Sequence, residues 1–160
     1  MNKVVVNAEE VPLPSWSGCM CEFALKVLDE IQHDNWELSI LLCGNKTIAA
    51  LNEQYRNKAE ATDILSFNLG ATVQDGDNAV YLPGDIVISL ETLRENARYF
   101  QTPEDEELRR LIIHGILHLG GMDHETTDRG EPMLALQEEI LNKLKDEHIF
   151  PKGFPHGGEK

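Results

Sequence analysis

Basic residues are scarce in this chain: 14 Lys and Arg stand against 28 Asp and Glu, a formal net charge of −14. That balance argues against a general nucleic-acid binder, because phosphate contacts call for clustered cations and an acidic surface repels polyanions. Cysteine is scarce too. Cys19, Cys21 and Cys43 are an odd three with no C-x-x-C pair. They argue against a disulfide framework and for free thiols in a reducing cytoplasm; the C-x-C of Cys19 and Cys21 is set aside as a metal site. No apolar run nears the ~20 residues that span a bilayer, so no membrane partner is expected. The first residues also lack the basic-then-apolar pattern of a secretory leader.

What is present describes one globular unit. A chain of 160 residues is one domain, large enough to bury roughly two-thirds of its unfolded surface. The domain is expected over residues 1–149. Residues 150–160, rich in Pro, Gly and Lys and without periodicity, read as a flexible tail in which His156 is incidental.

Chemistry concentrates in Leu111-Ile-Ile-His114-Gly-Ile-Leu-His118-Leu-Gly120-Gly121-Met-Asp123-His124. His114 and His118 are four apart in a helical stretch, which puts both rings on one face about 6 Å apart along the axis. Gly120-Gly121 ends the helix, and the chain can then fold back and bring His124 towards the first two rings. Half of the six histidines fall within these eleven residues. Three converging neutral imidazoles are the ligand set of an open zinc site whose fourth position is left to water; the bland alternative is a hydrogen-bonded core cluster. Position 115 is glycine, where an H-E-x-x-H peptidase carries its general base. Imidazole also suits nickel and iron, so the residues leave the metal open.

His114-Gly-x-Leu-His118-Leu-x-Gly-x-Asp123-His124 resembles the signature of the YbeY family, bacterial-type single-strand endoribonucleases of rRNA maturation. Leu51-Asn-Glu-Gln-Tyr55-Arg56, Thr62-Asp63-Ile-Leu-Ser-Phe67 and Gly84-Asp85-Ile-Val-Ile-Ser89 resemble further family blocks, in the family's order. The match runs from about Val4 to Leu144. Gly120 and Met122 stand where bulkier and aromatic residues are usual, and Asn68 where proline is usual. The resemblance implies a zinc-dependent endoribonuclease with one metal ion per chain, acting on single-stranded RNA. It further implies a role in 16S rRNA 3′-end maturation and ribosome quality control, with the small ribosomal subunit and its assembly factors as partners. It also implies a functional arginine at Arg56. From the residues alone Arg56 reads equally as a cation favourably placed at a helix C-terminus or as a guanidinium aimed at phosphate. Asp123, beside His124, either holds a histidine ring through its other nitrogen or acts as general base.

In chain order, Lys3–Asn7 reads as a strand, Cys19–Ile31 as an amphipathic helix, Trp36–Leu42 as a strand, and the stretch to Arg56 as a helix capped by Asn45 or Thr47. Thr62–Leu69 alternates as a half-buried strand, and by analogy with zinc hydrolases its Asp63–Asn68 part is the candidate groove-lining edge. Ala71–Leu82 reads as an acidic loop and Pro83-Gly84 as a turn that Asp85 fixes. Asp85–Ser89 is a strand and Ser89 caps the helix to Phe100. Arg94 and Arg98 lie on that helix's solvated face. Thr102-Pro103 launches the metal helix, with Leu108, Leu111, Ile112, Gly115 and Leu119 towards the core; Gly115 is expected where another backbone approaches. A last helix from Pro132 carries Met133, Leu136, Ile140 and Leu144, with Met133 read as core. The expected fold is α+β: a small mixed four-stranded sheet with about five helices and a zincin-like metal helix. Two other functions stay in play, a zinc peptidase or amidase and a ribosome-assembly RNA-binding protein with a structural metal.

Overall fold

The computed structural model describes residues 1–128 and 130–151. The tail from residue 152, with His156, lies outside the described residues. Four strands and five helices are present among the described residues: β1 (Lys3–Ala8), α1 (Ser17–Glu30), β2 (Glu37–Cys43), α2 (Asn45–Arg56), β3 (Ile64–Asp75), β4 (Asn78–Ser89), α3 (Leu90–Tyr99), α4 (Glu104–Leu119) and α5 (Pro132–Lys143). The sheet order is β1-β2-β4-β3. β1–β2 and β2–β4 are parallel and β3–β4 antiparallel, so the sheet is mixed and β3 is a free edge.

Side-chain alternation along the strands separates two cores. Leu38, Ile40 and Leu42 of β2 and Ile86 and Ile88 of β4 face α1, α3, α4 and α5. Leu41, Cys43, Leu65, Phe67 and Val87 face the other way, against Ile48 and Leu51 of α2. α4 is the centre of the larger layer: Leu108, Leu111, Ile112, Ile113, Ile116, Leu117 and Leu119 are all buried. Gly115 lets it lie close to the sheet. A Cβ there would sit 2.8 Å from Ile86 Cδ1 and 3.2 Å from Ile64 Cδ1. The close approach is thus to side chains of β4 and β3, where a backbone segment was expected.

Helix starts depart from expectation in an instructive way. α2 is capped by neither Asn45 nor Thr47; Gly44 is its N-cap. Its free amides are met from a distance, Gly44 and Thr47 by Glu10 Oε1 (3.2 and 2.9 Å) and Asn45 by Glu91 Oε1 (2.6 Å). Two carboxylates at the positive end of the helix serve its dipole as a local cap would. Ser89 does cap α3, accepting from Thr92 N at 3.2 Å. At α4 the N-cap is Pro103, not Thr102, and four acids fill the first turn. Asp105 of that turn is buried and accepts the amides of Ile149 (2.9 Å) and Phe150 (3.3 Å). The Phe150 ring lies against Trp16, centroids 4.9 Å apart.

The stretch read as an acidic loop is a hairpin arm. β3 and β4 pair as far as Asp75↔Asn78, with Gly76 at φ +66° in the turn. A positive φ there suits the tight turns that match strand twist. Thr72, Val73, Val80 and Tyr81 are strand formers, but β3 is exposed from Thr72 to Asp75, and Val80, Tyr81 and Leu82 of β4 are half-buried in succession, so no apolar face alternates. Tyr81 lies against Trp36, centroids 5.4 Å apart. Pro83-Gly84 is likewise no turn. It lies within β4 opposite a register shift between Asn68 and Ala71, where a strand tolerates a missing donor. Asp85 is exposed in the ladder opposite Phe67 and, among the described residues, fixes no turn. Gly84 has φ +137°, and a Cβ on it would come 1.9 Å from the Phe67 carbonyl oxygen. Gly84→Ala is therefore expected to cost at least ~2 kcal/mol, read as a lower denaturant midpoint at unchanged m-value.

Candidate metal centre

α4 puts His114 and His118 one turn apart on a stripe beside its buried face, and both are partly exposed. Gly120 closes the helix, Gly121 takes φ +103°, and the chain turns back so that His124 meets them. One ring nitrogen from each histidine lies within 4.8 Å of the other two. Ring centroids are 4.7 Å apart for His114–His118, 5.3 Å for His114–His124 and 5.7 Å for His118–His124.

The contacts on the far side of the rings set their tautomers. Gln137, buried on α5, gives its amide nitrogen to Glu138 Oε2 (3.1 Å), so its oxygen faces His114 Nδ1 at 2.6 Å. His114 must donate from Nδ1, leaving the Nε2 lone pair bare. His124 Nδ1 faces the Thr126 carbonyl at 2.7 Å, with the same result. Thr126 is itself fixed, its amide and hydroxyl donating to Glu131 Oε2 at 3.1 and 2.8 Å. Burial lowers the pKa of both His114 and His118. Neutral rings with one nitrogen engaged and the other free are what a metal-binding histidine needs, so the donor set fits a divalent ion.

Asp123 and Arg56 arrive from opposite sides. Asp123 Oδ1 is 3.9 Å from His118 Nδ1 and accepts the His124 amide at 2.8 Å, so the ring it faces is that of His118. Arg56 ends α2, whose C-cap Asn57 is left-handed. It reaches around the free edge of β3, donating from Nη2 to the Ser66 carbonyl at 2.9 Å. Arg56, Ser66, Asn68 and Asp123 line a cavity of about 300 Å³ together with His114 and His118. β3 thus flanks the histidines, as the analogy with zinc hydrolases led one to expect.

A second cavity, about 270 Å³, lies on the other side of His114 and holds Asp63, Arg110, Gln137 and Glu138. Burial pushes the Asp63 carboxyl up, and Asn96 Nδ2 donates to it at 3.3 Å. Arg110 ties α4 to α5 through Glu138 at 2.9 Å, and Glu106 and Glu107 of its own helix brace it, each also at 2.9 Å. Asp63 belongs to the Thr62–Phe67 block, whereas Gln137 and Thr126 carry no motif. Gln137 still left a trace in the sequence: it is a polar residue on the buried stripe of Met133, Leu134, Ile140 and Leu141.

The family model for Endoribonuclease YbeY matches residues 6–145. A Treponema pallidum protein named Endoribonuclease YbeY is 45% identical over 142 residues, 88% of this chain and 89% of its own. Proteins of the same name from Treponema denticola (40% identical, 93% of this chain and 97% of that one) and Borreliella burgdorferi (46%, 78% and 84%) are also similar. The solution structure of a Thermotoga maritima protein superposes with a TM-score of 0.61 at 26% identity, covering 98% of this chain and 99% of that one.

Proposed function

The chain belongs to the endoribonuclease YbeY family, and from that premise we propose that His114, His118 and His124 hold one zinc ion at which single-stranded RNA is cut. The observation that carries this reading is the triad itself: three ring nitrogens within 4.8 Å, two of the rings held by acceptors at Nδ1. The role extends to rRNA processing, with 16S rRNA 3′-end maturation and ribosome quality control as the cellular task. The small ribosomal subunit and its assembly factors are the proposed partners, and the cytoplasm the place. Free Cys19, Cys21 and Cys43 are consistent with that compartment. Among the described residues no helix is long and apolar enough to cross a membrane.

When bound, such an ion acts as a Lewis acid on a phosphoryl oxygen and acidifies water. The chain's own residues do the rest. Gln137 and Thr126 hold the His114 and His124 rings at Nδ1. Arg56, with one donor on Ser66 O, keeps further N–H groups for a phosphodiester in the cavity. Asp123 orients His118 from 3.9 Å.

Two expected outcomes follow from these roles. Gln137→Leu, which preserves burial, is expected to weaken metal affinity about 10–100-fold, measured by competition with a chromophoric chelator. Asp123→Asn can still face the ring but accepts no proton, so cleavage is expected to stay within about tenfold of the parent. A general base would account for about 10²–10⁴-fold, and a loss of that size would make Asp123 the base.

Peptidase chemistry is disfavoured by more than the missing glutamate, because a side chain at position 115 would collide with Ile86 and Ile64. The test sets metal-replete protein against an unstructured RNA, a duplex of the same sequence and a peptide. Cleavage of the unstructured RNA alone is expected; peptide cleavage without RNA cleavage would overturn the reading. A single 2′-deoxynucleotide at the cut site blocks attack by the neighbouring hydroxyl and leaves attack by water possible.

A further inference from the structure

The far side of the β3 edge carries an aromatic pair that the cleavage chemistry does not use. Tyr55, in the last turn of α2, is 61% exposed. Its ring meets Phe67 of β3 edge-on, centroids 5.2 Å apart and planes at 62°. Phe67 is half-buried and packs on the core beneath α2. It therefore holds the tyrosine ring in place while leaving much of it bare. Arg56, the next residue, has its Cζ 5.8 Å from the Phe67 ring centre and its Nη2 on Ser66 O. The guanidinium thus lies between this pair and the cavity that contains His114 and His118. In a chain of net charge −14, Arg56 and Lys58 make a local basic spot at this corner, both exposed on either side of the left-handed Asn57.

We propose that Tyr55, backed by Phe67, is a stacking platform for one unpaired nucleobase of the RNA, next to the phosphodiester that Arg56 positions. The inference rests on the endoribonuclease reading and adds the substrate contact that selects single strands. A base in a duplex is stacked on both faces and paired along its edge, so it has no face to give. An unpaired base does, and base–aromatic stacking is tolerant of sequence because every base has a π-face. The strand would cross the β3 edge, base on the α2 side and phosphate on the histidine side. Among the described residues no further strand pairs with β3, which leaves that route open.

The test reads binding and cleavage separately. Unstructured RNA is labelled with 2-aminopurine, whose fluorescence falls on stacking, at one position at a time around the cut. Quenching at one position is expected with the parent protein and with Tyr55→Trp, and its loss with Tyr55→Ala. Tyr55→Ala is also expected to raise KM for unstructured RNA roughly 5- to 150-fold, the range of base–aromatic stacking, with a smaller change in kcat. An unchanged thermal midpoint would show that the exposed ring is not needed for folding. Equal RNA affinity and equal quenching in Tyr55→Ala, with cleavage intact in the parent, would overturn the platform and leave the nuclease reading standing. A parent that neither binds nor cleaves RNA would overturn both.

Discussion

His118→Ala is expected to lose its bound metal and, with it, on the order of 10³-fold in RNA cleavage, because the ion supplies several kcal/mol of charge stabilisation at the transition state. The ring nitrogens of the triad converge within 4.8 Å, and among the described residues no other His, Cys, Asp or Glu joins them. Two ligands left on a surface cavity hold a divalent ion poorly. The same loss is expected for His114→Ala and His124→Ala, but with different side effects. His114 is the more buried ring and its loss also strands Gln137 Oε1, so that variant should be the less stable. His124 lies on an exposed turn and should cost little without metal. Elemental analysis checks the metal and a fluorogenic RNA the rate. Full occupancy in any of the three would remove that residue from the ligand set.

Arg56→Glu is expected to keep its metal and fold while losing about 10²–10³-fold in cleavage, the effect of removing one donor aimed at developing oxyanion charge. The side chain is exposed and its one structural bond is to the Ser66 carbonyl on a free edge, so stability should fall by less than about 1 kcal/mol. A glutamate there also repels the phosphodiester, which should raise KM as well as lower kcat. Lysine at the position restores charge without the planar fork and should recover only part of the rate. An Arg56→Glu protein that unfolds would instead make the arginine a helix-end stabiliser.

Part of the negative charge that argues against RNA is engaged away from the cavity, although Asp123 lines it beside Arg56. Glu106, Glu107 and Glu138 converge on Arg110 behind the histidines, and Glu10 and Glu91 are spent on the amides that open α2. The corner formed by Arg56 and Lys58 is left as the local cation. Net charge describes long-range repulsion; it does not describe a cavity a few ångströms across.

How much could be read before any coordinates existed follows from where the signal was local. The i, i+4 histidines and the glycine break are local, so the metal helix and the returning His124 were legible. Four strands in a mixed sheet and five helices followed from strand–helix order and resemblance, the buried face of α4 from periodicity, and the β3 edge beside the site from analogy with zinc hydrolases. The hairpin arm did not, because an exposed β3 end and three successive half-buried residues, Val80, Tyr81 and Leu82, show no alternation. The cap of α2 did not either, since Glu10 and Glu91 come from far away in the chain. Gln137 was visible only as a misfit on an apolar stripe. The Tyr55–Phe67 pair was illegible because the two residues belong to different elements, and only the fold brings them to one corner.

The central claim is an ion held by three imidazoles with one side open to substrate, and X-ray absorption at the metal edge of the purified protein tests it most directly. The expected spectrum shows three imidazoles with nitrogens at about 2.0–2.1 Å, recognised by multiple scattering from their rings, and an oxygen in the remaining position. A fourth protein ligand, a sulfur scatterer from one of the cysteines, or fewer than three imidazoles would contradict it.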